Sequence, residues 1–289
     1  MNHKNIASQD TPVNRKNNRR MAGILFYLGA LLITIIVTVP LYWMIITSLK
    51  SKGALMALPI QWFPKEPSLK AYRKVFTIFP FLRAILNSML ISVLYTLITV
   101  LSASMAAFAI TKIRFPGAGF VFGLFLASMM IPTQITMIPL FIIMSRLSLV
   151  NTYTSVIGPS LFRAFGVFLL VQNMRSLPDT YMEAALIDGA GLAKVYSRVI
   201  MPMLKPALAT LTISTFMEAW NDYLWPLVML SDKKKMTLTI ALKTLNGQYG
   251  TEYNVLMAGS LISMIPIILV YIAAQTQMKQ GITLGGVKG

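Results

Sequence analysis

The sequence predicts an all-α integral membrane protein with six transmembrane helices. Of its 289 residues, 56% are hydrophobic and only 12% are charged, whereas about a quarter of the residues of a soluble domain are charged. Four stretches contain no Asp, Glu, Lys or Arg, and each exceeds the roughly 20 residues that a helix needs to cross the hydrocarbon core. These stretches are 21–49, 84–111, 115–145 and 253–278.

Two further apolar segments carry ionisable residues. Segment 155–174 contains Arg163, and segment 206–230 contains Glu218 and Asp222. Inside lipid every backbone polar group needs an internal partner, and segments this long are helices rather than barrel strands. We therefore predict six helices, at about 22–48, 85–111, 118–143, 155–174, 206–230 and 254–277.

Prolines and small residues add detail to the second and third helices. Pro132 and Pro139 lie inside the third helix, where the missing N–H and the ring clash of proline predict a kink. The alanine-rich segment 102–109 and the G-x-x-x-G pair Gly119 and Gly123 are typical of helix faces that pack closely.

The termini and the loops set the predicted domains and topology. The apolar run that follows the basic segment 1–20 is too long for a secretory signal and has no cleavage site after it. We expect a disordered tail at 1–20, a membrane domain at 21–278 and a second tail at 279–289. The segments predicted on the two sides of the membrane contain almost equal numbers of Lys and Arg residues. The basic residues just before the first helix nevertheless favour a cytoplasmic N-terminus. Both termini are then cytoplasmic.

Composition also excludes several classes of function. The net charge of +17 resides between the apolar segments, where anionic lipid and topology explain it better than nucleic acid does. The chain has no cysteine and a single histidine, His3, and it lacks the G-x-x-x-x-G-K-[ST] phosphate loop. We expect neither an enzyme nor a chain with a metal or cofactor of its own.

A short charged segment, 175–205, lies between the fourth and fifth predicted helices, and we call it the island. Thr180 and Glu183 have the spacing of a capping box. Gly189 occupies the position of a left-handed helix end, and a second helix can begin after Gly191. An apolar stripe then follows at helical spacing: Leu192, Val195, Tyr196 and Val199. Periodicity alone fits a helix lying on the membrane as well as it fits a docking element.

The island resembles the EAA loop of the permeases of ABC importers. That pattern is E-A-A, three residues, Gly, nine residues, then I-x-L-P. Here every spacing matches, with Val and Met in place of Ile and Leu: Glu183, Ala184, Ala185, Gly189, Val199, Met201 and Pro202. We expect Pro202 to end the second island helix.

The resemblance implies a role for the island and a set of partners. In that family the loop is a coupling helix that docks into a groove on a separate ATPase, two copies of which bind ATP and Mg. The ATPase-coupling residues implied here are Glu183, Ala184, Ala185, Asp188, Gly189 and Pro202.

Further segments are similar to the carbohydrate branch of these permeases, and in particular to the maltose-type, six-helix subunit. They are 81–92, 106–117, 165–191, 220–230 and the tail "QGITLGGVKG". The resemblance implies a multi-pass protein of the bacterial cytoplasmic membrane that pairs with a second, related permease. An extracellular or periplasmic binding protein would deliver the sugar.

Polar residues in the fifth helix are candidates for lining the path of the sugar. Charges inside a membrane helix are costly, and usually face a cavity or a partner. The candidates, with Asn and Asp for hydroxyl groups and Trp for stacking on a pyranose, are Trp220, Asn221, Asp222 and Trp225. The alternative is that this section lies near the outer surface or pairs with another subunit. For Arg163 a structural salt bridge or snorkelling is favoured over a ligand role.

Two alternative functions and the role of one loop stay open at this point. An ion-coupled secondary transporter would use Glu218 and Asp222 as coupling sites, but it leaves the pattern at 183–202 unexplained. An ABC permease for a different solute also fits that pattern. The loop 231–254 is either a probe of the binding protein or a solvated hairpin.

Overall fold

The computed structural model describes residues 12–113, 115–246 and 252–285, and every regular element in these ranges is a helix. Four of the helices are long and apolar enough to cross a membrane, and two bent helix pairs raise the number of candidate spans to six. The predicted all-α membrane class is therefore confirmed, with four to six candidate spans in the described part of the chain.

The first half of the chain combines two long helices, α1 and α3, with several shorter ones. α3 continues into a π-helical turn, Ala109–Ile113. The elements in order are α1 (Pro12–Leu49), α2 (Lys70–Ile78), α3 (Phe81–Phe108), α4 (Ala118–Met129), α5 (Thr133–Arg146), α6 (Tyr153–Ile157) and α7 (Ala164–Arg175).

The second half begins with the island. α9 continues through a π-helical turn, Val195–Ile200, into α10, and together they form the second island helix. The elements in order are α8 (Thr180–Ile187), α9 (Leu192–Lys194), α10 (Met201–Met203), α11 (Lys205–Asn221), α12 (Leu224–Met229), α13 (Leu238–Leu245) and α14 (Tyr253–Gly285).

The terminal helices extend beyond their predicted limits. α1 begins at Pro12, inside the segment predicted to be a disordered tail, and α14 continues to Gly285, inside the predicted second tail. The helical pattern in these basic and polar ends was too weak to recognise, because it lacks an apolar stripe. The outermost ends, 1–11 and 286–289, lie outside the described residues.

The third predicted helix is broken rather than gently kinked. α4 ends at Met129, Pro132 precedes α5, and the two helices meet at 104°. Proline disfavours the helical conformation of the residue before it and removes a backbone donor. Pro139 lies inside α5 without ending it.

The fifth predicted helix, expected to run from 206 to 230, ends at Asn221. Asp222 is extended, with φ −66° and ψ 128°, and α12 begins at Leu224. In a continuous helix the ring of Pro226 would clash with the carbonyl of Asp222, four residues earlier. The single expected helix was therefore wrong, and Pro226 was the overlooked signal.

Two segments expected to be loops contain helices. α2 lies between α1 and α3, and α13 lies in the loop 231–254, of which 247–251 are outside the described residues. Both bury one face in a single cluster with the beginnings of α3 and α14, through Val75, Phe81 and Ala241. We call this end of the bundle the opposite face, because the island lies at the other end.

Close approach of α3 and α7 holds the centre of the bundle together. A Cβ added to Gly166 on α7 would lie 3.0 Å from the Cβ of Ala103 on α3. Ala103 and Ala107 are buried, as the alanine-rich pattern predicts. In contrast, a Cβ at Gly119 or Gly123 would meet nothing within 4 Å. The G-x-x-x-G pair thus makes no close contact within the described chain.

We expect Gly166→Val to destabilise the purified chain by about 1–3 kcal/mol, because the added atoms overpack the α3–α7 contact. Thermal unfolding in mild detergent measures the effect. Gly119→Val is the matched control, since the same atoms enter open space there. Equal effects of the two substitutions would contradict the central role of this contact.

Candidate functional site

The first island helix begins with an ion pair rather than the predicted capping box. Thr180 is the first residue of α8, and the Asp179 side chain makes no capping hydrogen bond. Its Oδ1 instead accepts a hydrogen bond from the Lys112 Nζ at 2.7 Å. The carboxylate of Asp179 therefore ties the island to the end of α3.

A left-handed glycine ends α8, as predicted. Gly189 has φ +78°. Its N–H donates to the Leu186 carbonyl at 3.0 Å, and the N–H of Ala190 donates to the Ala185 carbonyl at 2.9 Å. These two bonds form a Schellman motif, which fixes the turn toward the second island helix.

The island has a buried side and an exposed side. Met182, Ala185 and Tyr196 pack on the core cluster shared with α3 and α7. On the first island helix the exposed side combines acidic and apolar residues, and Ile187 is 86% exposed. Other exposed residues there are Tyr181, Glu183, Ala184, Leu186 and Asp188, and the second island helix exposes Leu192 together with the basic residues Lys194 and Arg198.

Pro202 lies inside the second island helix and does not end it. The helix extends from Leu192 to Met203, and the chain then bends by 81° into α11. Pro202 follows the π-helical turn Val195–Ile200, and the helix ends at Met203, one residue after the proline. The predicted end of this helix, at Pro202, is therefore one residue before its observed end at Met203.

A cavity of about 540 Å³, with both polar and apolar walls, lies where the two broken helices meet. Its walls come from α3, the region around Arg163, α5 and the α11–α12 break. The polar side chains that line it are Tyr95, Thr133, Gln134, Thr136, Arg163, Glu218, Asn221, Asp222, Tyr223 and Trp225.

Three of the four candidate path residues line this cavity, and one does not. Asn221, Asp222 and Trp225 are in its wall, and the Trp225 indole N–H donates to the Ser155 carbonyl at 3.0 Å. Trp220 is 2% exposed and packs in the core. Its indole N–H donates to the Ser263 carbonyl on α14 at 3.1 Å. The two tryptophans thus diverge because the helix ends between them.

An ion pair crosses the cavity. The Arg163 guanidinium contacts the Glu218 carboxylate and lies 6.0 Å from the centre of the Tyr95 ring. The structural salt bridge favoured for Arg163 is therefore present. Tyr95 and Tyr223 were not recognised from the sequence, although a tyrosine hydroxyl in an apolar segment is a signal for a polar environment.

A basic turn on the opposite face is held in one conformation by two asparagines. The Asn151 Oδ1 accepts from the N–H groups of Ser231 and Asp232 at 3.2 and 3.1 Å. The Asn87 Nδ2 donates to the carbonyls of Lys234 and Met236 at 2.9 and 3.0 Å. We call residues 231–237 the basic turn; the exposed Lys233 and Lys234 lie on it.

A second charged contact on this face joins α2 to the start of α14. The Lys74 Nζ donates to a carboxylate oxygen of Glu252 at 2.6 Å, and Lys52 lies 3.5 Å from the other oxygen. The hydrogen bond from Lys74 lowers the pKa of Glu252 below its usual range. The carboxylate therefore stays ionised, and the link persists, at mildly acidic pH.

The chain is a bundle of apolar helices with an exposed helix–turn–helix at one end and a cavity between broken helices. This is the architecture of a membrane permease. The fold matches a chain from the crystal structure of a bacterial ABC transporter involved in the import of the acidic polysaccharide alginate. The TM-score is 0.80 at 24% identity, and the match covers 90% of this chain and 97% of that one.

Sequence comparisons identify the family. The model of the binding-protein-dependent transport system inner membrane component matches residues 98–283. The chain is 40% identical over 203 residues to the arabinooligosaccharides transport system permease protein AraQ of Halalkalibacterium halodurans, covering 70% of this chain and 73% of that protein. It is 30% identical to AraQ of Bacillus subtilis, covering 93% and 96%. The chain therefore belongs to this family and is a permease subunit rather than an enzyme.

We expect the Arg163–Glu218 pair to show a coupling energy of about 0.5–3 kcal/mol in a double-mutant cycle, as contacting charged residues do. The variants are Arg163→Gln, Glu218→Gln and the double variant, compared by thermal unfolding in detergent. Each single change leaves one charge unpaired in the cavity, so the double variant should be more stable than the sum of the single changes predicts. Additive effects would show that the contact contributes nothing to stability.

Proposed function

We propose that this chain is a permease subunit of an ABC sugar importer and forms half of its translocation pathway. A second permease completes the pathway as a heterodimer, two copies of an ATPase bind ATP and Mg, and an extracellular or periplasmic binding protein delivers the sugar. The protein lies in the bacterial cytoplasmic membrane, with both termini and the island in the cytoplasm.

The exposed surface of the island is the observation that carries this proposal. Ile187 is exposed between Glu183 and Asp188. A helix resting on anionic lipid would place basic residues there, because the headgroups repel carboxylates. A groove on a protein, with an apolar floor and a basic rim, suits the same surface. This favours a docked ATPase over the membrane-surface alternative.

The cavity supports a sugar as the transported solute. Asn221 and Asp222 offer hydrogen-bonding groups for hydroxyls, and Trp225 offers an aromatic face. The sequence relatives include permeases named for arabinooligosaccharides and for melibiose, raffinose and stachyose. Trp220 is not part of this proposal, because it is buried in the core.

The ion-coupled alternative fits the cavity less well. A coupling carboxylate must exchange a proton or cation during transport, whereas Glu218 is engaged by Arg163. That alternative also assigns no role to the exposed residues of the island. Transport down an ion gradient by the purified chain alone would nevertheless reinstate it and refute the importer.

The basic turn suits the docking of the binding protein. Lys233 and Lys234 are exposed on a turn whose backbone is held by Asn87 and Asn151. A preorganised cluster of cations attracts an acidic protein surface and loses little entropy when it binds. This favours the probe interpretation of the loop over the solvated hairpin.

The first test of the proposal is co-purification of the ATPase with the tagged chain in mild detergent. We expect Gly189→Asp and Glu183→Lys to reduce the bound ATPase. A residue other than glycine at φ +78° costs about 1–3 kcal/mol and displaces the turn. Gly191→Asp is the matched control, because Gly191 has φ −70° at a helix N-cap, where aspartate is favoured.

Three results would count against the coupling role of the island: no ATPase co-purifies with the wild-type chain, both variants retain it, or the control loses it as well. The second permease is identified in the same experiment by mass spectrometry. The sugar is then found by measuring which oligosaccharides stimulate ATP hydrolysis by the complex with its binding protein.

A second test reverses the charge of the basic turn. We expect Lys233→Glu with Lys234→Glu to slow association of the binding protein and to weaken its dependence on salt, because screening acts on exposed charges. Lys65→Glu, also exposed but in another loop of the same face, is the control. Surface plasmon resonance at two salt concentrations measures the rates, and unchanged association would remove the basic turn from the docking surface.

A further inference from the structure

Lys112 is a buried cation at the point where the membrane bundle meets the island. It lies in the π-helical turn at the end of α3, and its side chain is 3% exposed. Its Nζ donates to the Leu177 carbonyl at 2.9 Å and to the Asp179 Oδ1 at 2.7 Å. A buried charge is costly unless it is paired and hydrogen-bonded. These partners therefore hold Lys112 in place.

A second contact joins α3 to the other island helix. The hydroxyl groups of Ser104 and Tyr196 lie 2.7 Å apart, and the Tyr196 ring meets the Phe108 ring edge-on at 5.4 Å. The last turns of α3 thus contact both island helices, one through Lys112 and one through Ser104 and Phe108. These links are needed because the island is continuous in the chain with α7 and α11, but not with α3.

The other part of α3 forms a wall of the cavity. Ile91 and Tyr95 line it, and Tyr95 is 17 residues before Lys112 in the sequence. At about 1.5 Å per residue the two lie roughly 25 Å apart along a single helix. A displacement imposed on α3 at the island would therefore be carried to the cavity by a rigid element.

We propose that Lys112 is a positioning residue for transport, because it locks α3 to the island so that movement of the island displaces the cavity wall. The inference rests on the proposed importer function. Movement of the island is then transmitted to the cavity by α3 as well as by α7 and α11, which are continuous with the island in the chain. Lys112 itself contacts neither the sugar nor the ATPase in this scheme.

The test compares Lys112→Gln, Asp179→Asn and Lys112→Arg in the whole importer, reconstituted in liposomes with its ATPase, second permease and binding protein. We expect the first two variants to bind the ATPase and hydrolyse ATP at the wild-type level. Sugar transported per ATP should fall by roughly twofold to thirtyfold, the range that coupling contacts span. Lys112→Arg keeps the charge and should restore most of the coupling.

A control variant and a distance measurement separate positioning from plain stability. Lys74→Gln removes a half-exposed cation from its pair with Glu252 on the opposite face, and it should leave transport per ATP unchanged. The chain has no cysteine, so spin labels at Met105→Cys and Lys194→Cys can report the distance between α3 and the island. In the wild-type background we expect this distance to stay constant when ATP binds, whereas with Lys112→Gln it should change.

Different failures are distinguishable. If the wild-type complex shows no ATP-driven sugar transport, the proposed importer function fails. If the wild type transports but Lys112→Gln and Asp179→Asn keep the wild-type ratio of sugar to ATP, the inference about Lys112 fails. It also fails if transport and ATP hydrolysis fall together with the amount of assembled complex, since Lys112 is then structural only.

Discussion

The scarcity of carboxylates in an apolar, basic chain governs how its helices are connected. The chain has only nine Asp and Glu residues but 26 Lys and Arg residues. A charge in an apolar bundle needs a partner of opposite sign. In the described part of the chain, ion pairs join segments that are distant in sequence. Asp179 secures the island, Glu218 crosses the cavity, and Glu252 ties α2 to α14. The island, the cavity and the opposite face thus each contain one of these ion pairs.

The cavity depends on two prolines as much as on its polar residues. Pro132 separates α4 from α5, and Pro226 forces the chain out of the helix at Asp222. Both breaks lie in the wall of the same cavity, as the lining residues Thr133 and Asn221 show. Broken helices supply polar backbone and side chains where continuous helices would present only apolar faces, and in membrane proteins they are tolerated where they line a cavity.

Much of this arrangement could be predicted from sequence, because membrane helices and the island have strong local signals. Uncharged runs located the long helices, and the spacing from Glu183 to Gly189 located the turn of the island. The break at Asp222 was missed because the apolar residues on both sides of it were read as one helix, and Pro226 was overlooked. Trp220 and Trp225 look alike in the sequence, but they point to the core and to the cavity because a helix end lies between them.

Contacts between distant segments have no local signal at all. Lys112 and Asp179 are separated by 67 residues, and the predicted capping box gave Asp179 no part. Its carboxylate could have capped α8, but a buried ammonium group is the more demanding partner, since an unpaired charge costs more than an unmade cap. The packing of α3 against α7, with Gly166 close to Ala103, helps to bring the two residues together.

The exposed apolar surfaces of α1 and of the island differ in whether charged residues lie among the apolar ones. The apolar window of α1, within Gly23–Leu49, is not buried at all and carries no charge. Such a surface suits lipid tails or the apolar helices of a second permease. On the island, Ile187 and Leu186 are interleaved with Glu183 and Asp188. Neither lipid tails nor anionic headgroups satisfy both kinds of group, whereas a protein groove does. The two surfaces therefore suit different environments: the first suits an apolar one, and the second suits one that satisfies apolar and charged groups together.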